Sequence, residues 1–166
     1  MFSTHKQLIM EDWKLLLKRM KLDSIKAKAP DFFKLSGGYD MKVKPYRDTT
    51  ANGLTSAIID FIIFSGGDAV RINCQGQVRK INGRMTWTHG STRKGISDIH
   101  AIFQGRHISI EIKIGKDKQS DHQINEAERV RGAGGFYFVA KNMESFLEWW
   151  NQTFQLAETN NYQPIK

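Results

Sequence analysis

Cysteine is almost missing from this chain: among 166 residues only Cys74 occurs, which excludes an internal disulfide and a cysteine-built zinc knuckle. Cys74 reads as an inert core residue, and a reducing, cytoplasmic setting is expected. Long apolar runs are also missing. The longest, residues 57–64, is broken by Asp60 and stops at Ser65-Gly66-Gly67, well short of the roughly 18 residues of a membrane span. The N-terminal stretch Met1-Phe2-Ser3-Thr4-His5-Lys6 lacks the apolar core and small-residue cleavage site of a signal peptide. No internal repeat and no low-complexity segment occurs. Acid is absent from residues 69–97, which carry Arg71, Arg79, Lys80, Arg84, Arg93 and Lys94.

What is present suits a soluble globular domain, with 40% hydrophobic residues and a mean hydropathy of -0.48. A formal charge of +8 and a pI near 9.6 point to a polyanionic partner. The excess is local, because residues 116–166 balance six Lys and Arg against seven Asp and Glu. Nucleic acid is the favoured partner, well ahead of an anionic membrane surface, and no membrane association is expected.

Apolar residues Ile9, Trp13, Leu16, Leu17 and Met20 recur at helical spacing and predict a helix over residues 4–22. Lys14, Lys18, Arg19 and Lys21 read as its solvated face. Residues 23–53, with Pro30, Gly37-Gly38 and Pro45, read as an irregular connector, which makes the first helix an appendage. A helix over about 54–64, ended by Gly66-Gly67, is followed by strands at 69–74 and 84–88. A hairpin comes next, then a Ser120-capped helix to about Arg131, a buried strand at 136–140, and a helix from Met143 to about Phe154 capped by Asn142. Its Trp149-Trp150 pair reads as packing. The order predicts an α/β fold with a central mixed sheet flanked by helices.

The hairpin carries the chemistry. With Gln104-Gly105 as a two-residue loop, Phe103 faces Arg106 and Asp98 faces Glu111. Alternation sends Ile99, Ala101, Phe103, Ile108, Ile110 and Ile112 to the core, and Asp98, His100, Ser109, Glu111 and Lys113 to the other face. Opposed side chains stand roughly 5 Å apart, so two carboxylates there repel unless a cation sits between them. Hard oxygen ligands suit Mg2+ or Mn2+, with the Ile112 carbonyl as a further ligand. Such an ion polarises a phosphodiester and lowers the pKa of a bound water. Lys113 is placed to orient that water or to stabilise transition-state charge.

In order, Gly95-Ile96-Ser97-Asp98-Ile99, Ile110-Glu111-Ile112-Lys113 and Ser120-Asp121-His122-Gln123 resemble the motifs of the PD-(D/E)XK nuclease superfamily. Within it the sequence is most similar to the VRR-NUC (virus-type replication-repair nuclease) family. The likeness spans about residues 52–150 and includes Gly134-Gly135-Phe136-Tyr137-Phe138-Val139. It implies a restriction-endonuclease-like domain at 51–155, preceded by the appendage at 1–50 and followed by a polar tail at 156–166. It also implies that Asp98 and Glu111 bind Mg2+ or Mn2+, that Lys113 is the catalytic lysine, and that Gln123 lies near the active centre. Family members are DNA endonucleases, and the stand-alone ones resemble homodimers selective for branched DNA such as Holliday junctions, with roles in phage or mobile-element recombination, repair or packaging. They carry a Glu at the start of the first core helix. Here that place falls near Asn52, which can bind a metal-bound water but brings no negative charge, and Asp60 two turns on is either an acidic substitute or a solvent-facing residue of an apolar helix.

Ser120 to Gln123 is also a capping box, which gives Gln123 a structural role beside any catalytic one. Ser91, Thr92, Arg93 and Lys94 form a polar, basic loop entering the site and suited to a DNA phosphate, and Arg71, alternating with Val70 and Ile72, either points towards the same groove or snorkels at the sheet rim. His100 and His107 read as solvated. Two competing readings are a degenerate nuclease fold that binds branched DNA without cutting it, and an adaptor that recruits a replication protein through residues 1–50.

Overall fold

The computed structural model describes residues 12–72, 77–88 and 93–154. Helix α1 (Trp13–Lys28) is capped by Asp12, whose side chain accepts from the Lys14 N–H. The predicted start of this helix, residues 4–11, lies outside the described residues. Its end comes later than expected, and Pro30 opens a second helix, α2 (Pro30–Leu35), instead of breaking the chain. Proline at the first helical position costs nothing, because its missing N–H would have had no partner there. A 3-10 turn (Gly38–Asp40) and an extended stretch then lead to α3 (Ala51–Phe64).

Strand β1 (Asp68–Arg71) follows, then the hairpin β2 (Gln77–Ile81) and β3 (Arg84–Thr88), then β4 (Ile99–Phe103) and β5 (Arg106–Ile112). Helix α4 (Asp121–Gly132), strand β6 (Phe136–Ala140) and helix α5 (Met143–Phe154) complete the fold. A four-stranded sheet runs β1-β4-β5-β6; its first three strands are antiparallel neighbours and β5 pairs with β6 in parallel. The coarse expectation of a mixed sheet flanked by helices therefore holds. Strand β2 was not expected. It forms a separate two-stranded sheet with β3 across Asn82-Gly83, where both residues take positive φ as the tight turns of hairpins require.

One core fills one face of the four-stranded sheet. Ile99, Ala101, Phe103, Ile108, Ile110 and Ile112 meet Leu54, Ala57, Ile58 and Phe61 of α3 and Phe146, Trp150 and Phe154 of α5. The residues of α5 recur every fourth position, which is one stripe of a helix. Trp149 stacks on Phe138 with centroids 4.6 Å apart, so the tryptophan pair packs as expected. Leu17 of α1 is fully buried in the same cluster. The first helix is thus part of the core and not an appendage to it; a single apolar stripe cannot show whether its partner is near or far in the chain.

Candidate active site

The β4–β5 register begins at Ile99 opposite Ile110, which continues to Asp98 opposite Glu111. The turn behind that register is tight: Gln104 and Gly105 both take positive φ. Asp98 is held on both sides. The Ile112 N–H donates to its Oδ2 at 2.9 Å, and the Ile72 N–H donates to its carbonyl at 2.8 Å.

Glu111 sits in the middle of the sheet and is only 2% exposed. Its Oε1 accepts from Lys113 Nζ at 3.2 Å and from Gln123 Nε2 at 2.5 Å, while its Oε2 is buried without a partner. Burial and then the Asp98 charge push its carboxyl up to about 7, against the pull of Lys113. Lys113 is 8% exposed and also reaches Asp117 Oδ2 at 3.5 Å. Asp117 escaped the sequence reading, although a carboxylate four residues past the lysine is the signal that marks it.

Gln123 closes the capping box and also lies against Glu111. Its Oε1 accepts from the Ser120 N–H at 3.0 Å, closing the first turn of α4, and its amide donates to Glu111. The loop before Asp98 packs against that same turn through Gly95. A Cβ on Gly95 would lie 2.2 Å from the His122 carbonyl oxygen, and its φ is +80°. Gly95→Ala should therefore lower stability by at least about 2 kcal/mol and push the loop before Asp98 away from the first turn of α4. Thermal melting of the variant checks this, and an unchanged melting point would refute the close packing.

The remaining candidates divide. Arg71 pairs with Ile99 across β1 and β4, so its register puts it on the core face and not towards Glu111. Asp60 accepts from the Tyr46 hydroxyl at 2.5 Å and lies 3.9 Å from Lys21. It braces the connector between α1 and α3, eight residues and about 12 Å along α3 from Asn52, and is not at the site. Asn52 is exposed on the first turn of α3. Arg93 pairs with the buried Glu126 at 3.6 Å, and Glu126 also pairs with Arg129. Lys94 is exposed. Ser91 and Thr92, like Cys74, lie outside the described residues. Among the described residues no group of three or more His, Cys, Asp and Glu gathers at metal-binding distance, so Asp98 and Glu111 stand as a pair.

Two further side chains share this face of the sheet. His100 is half-buried with Nε2 unpartnered, its ring 5.1 Å from that of His107, and burial, His107 and Arg93 hold it below the ordinary histidine pKa. That corrects the solvated reading of His100. The buried Tyr137 hydroxyl is pushed up to about 12, chiefly by burial and then by Glu111. Its strand lies next to β5, a parallel pairing that alternation alone does not reveal. No helix among the described residues is long and apolar enough to cross a membrane. No family model matches the chain, and no curated protein does.

Proposed function

We propose that this chain is a divalent-metal-dependent endonuclease that hydrolyses DNA phosphodiester bonds on a PD-(D/E)XK-type core. The observation that carries the proposal is the Glu111 carboxylate: buried in the sheet, opposite Asp98, with one oxygen unpartnered. Lys113 and Gln123 engage only one of its oxygens, and a cation at the other would account for burying a carboxylate opposite a second one. The donor set fits Mg2+ or Mn2+, which keep several waters and need few carboxylates. Asp98 and Glu111 would hold the ion, with the Ile112 carbonyl as a further oxygen. Bound there, it supplies Lewis-acid polarisation of the scissile phosphate.

The chain's own residues do the rest. Gln123 fixes the Glu111 carboxylate from the N-terminal turn of α4. Lys113, held between Glu111 and Asp117, offers an ammonium to the charge that develops on the phosphate oxygens. The basic stretch ahead of Asp98 supports a polyanionic substrate, and by the resemblance that substrate is branched DNA cut by a homodimer. A second reading has one observation behind it. With Asp60 tied to Tyr46 and Asn52 uncharged, no third acid joins the pair among the described residues, which favours a fold that binds DNA without cutting it.

Labelled linear, forked and four-way-junction DNA incubated with the protein and Mg2+, Mn2+ or EDTA tests both. Metal-dependent cleavage of at least one substrate is expected. Absence of cleavage with either ion overturns the nuclease reading, and junction binding without cleavage would support the second.

A further inference from the structure

The acid-free stretch from residue 69 to 97 has a hairpin at its middle that stands outside the main sheet. Strands β2 and β3 pair from Gln77 opposite Thr88 to Ile81 opposite Arg84. At its closed end, Lys80, Asn82, Gly83, Arg84 and Met85 are all exposed, Met85 to 70%. A two-stranded hairpin is marginal by itself, so a basic one that displays a methionine beside a cation is shaped for a partner. Lys80 is directly opposite Met85 and shares its face, while Arg84, its neighbour in sequence, lies on the other face.

We infer that the β2–β3 hairpin is an arm that enters the major groove of duplex DNA beside the site of cleavage. The DNA binding stands on the hairpin alone; only the placement relative to the cut rests on the nuclease reading. Five residues per strand give a ribbon about 17 Å long. The major groove of B-form DNA, about 12 Å wide and 8.5 Å deep, admits a two-stranded ribbon. The major groove of A-form RNA is deep and too narrow for side chains to read, so shape selects DNA over RNA. Lys80 and Arg84 then meet phosphates or guanine edges, and Met85 meets the apolar surface of thymine methyls. Thr88 and Asp98 are ten residues apart in the chain, which caps their separation at about 35 Å. The closed end lies up to about 14 Å beyond Thr88, so the arm contacts the duplex within about one and a half helical turns of the Asp98–Glu111 pair.

Fluorescence anisotropy in EDTA, with a labelled DNA duplex and an RNA duplex of matched sequence, tests the arm without cleavage. The wild type should bind the DNA duplex more tightly than the RNA. Charge reversal in K80E/R84E should weaken DNA binding by at least about 10-fold, and the neutral K80S/R84S should flatten the slope of log affinity against log salt by roughly 1.8. Binding to RNA should change little, and thermal melting of both variants should match the wild type because these side chains are exposed. Unchanged DNA affinity in both variants overturns the arm. So does an equal loss on DNA and RNA, which would mark general electrostatics, or a wild-type dimer that becomes monomeric in K80E/R84E by analytical ultracentrifugation. The two proposals fail separately. Hairpin-dependent binding without any cleavage removes the nuclease reading alone, while cleavage with hairpin-independent binding removes the arm alone.

Discussion

Glu111→Gln should reduce metal-dependent cleavage by about 1000-fold, the effect of losing several kcal/mol of electrostatic stabilisation, yet it should stabilise the metal-free protein at alkaline pH. Both effects have one cause. The carboxyl is raised to about 7 because burial and the Asp98 charge oppose ionisation. A group with a raised pKa in the folded state favours folding below its unfolded value, near 4.5, and loses that contribution as pH rises through about 7. Above pH 7 the wild type therefore holds a buried charge that only a cation or Lys113 offsets. Glutamine keeps the shape, accepts from Lys113 and Gln123 through its remaining oxygen, and carries no charge to desolvate. The difference in melting temperature between variant and wild type in EDTA should accordingly widen in the variant's favour from pH 5 to pH 8.5. Added Mn2+ should raise the wild-type melting point more at pH 8.5 than at pH 5, and the variant's hardly at all. A variant that still cleaves would remove Glu111 from the site. A variant destabilised equally at both pH values would mean that the glutamate is a structural hydrogen-bond acceptor and nothing more.

Much of this geometry was legible because it is local. A two-residue turn and the two-residue period of a strand fix which side chains oppose each other, and Asp98 opposite Glu111 needs no other information. The double use of Gln123 was legible for the same reason, since three residues separate it from its cap. What escaped depends on contacts between distant segments. The side of the sheet that Arg71 faces is set by the β1–β4 pairing, which no pattern within β1 reveals. The occupation of Asp60 comes from Tyr46 in the connector, fourteen residues earlier, where prolines and glycines hid the ordered helices. The depth of Glu111 depends on α4 lying over the sheet, and α4 is allowed that close by the missing Cβ of Gly95. Burial is what separates this pair of facing carboxylates from a surface feature, because it raises the cost of ionising the second of them. The motif was readable in the sequence, and its energetics only in three dimensions.

Lys113→Met should lower the plateau rate of cleavage by about 100-fold, through loss of an ammonium directed at the phosphate, and should also move the acid limb of the pH–rate profile towards alkaline pH. The second effect separates an electrostatic role from a packing role. Lys113 Nζ, 3.2 Å from Glu111 Oε1, is the positive charge that draws the glutamate carboxyl down, while burial, Asp98 and Asp117 all drive it up. Removing the ammonium leaves only the Gln123 amide to oppose those three. Ionised Glu111 then appears only at higher pH, and cleavage that needs it rises later. Folding should follow the same sign. Breaking a buried ion pair by deleting one partner costs about 3 kcal/mol, and here the cost should appear above pH 7 and shrink at pH 5, where Glu111 is protonated in variant and wild type alike. Lys113→Arg keeps the charge but replaces a compact ammonium by a longer, planar group. It should restore the position of the acid limb while recovering only part of the rate. Single-turnover cleavage between pH 5.5 and 9, with melting scans of the metal-free variants over the same range, measures each of these. An acid limb that stays in place in Lys113→Met would show that Lys113 does not set the charge of Glu111, and a full rate in the same variant would leave the ammonium without a part in the chemistry.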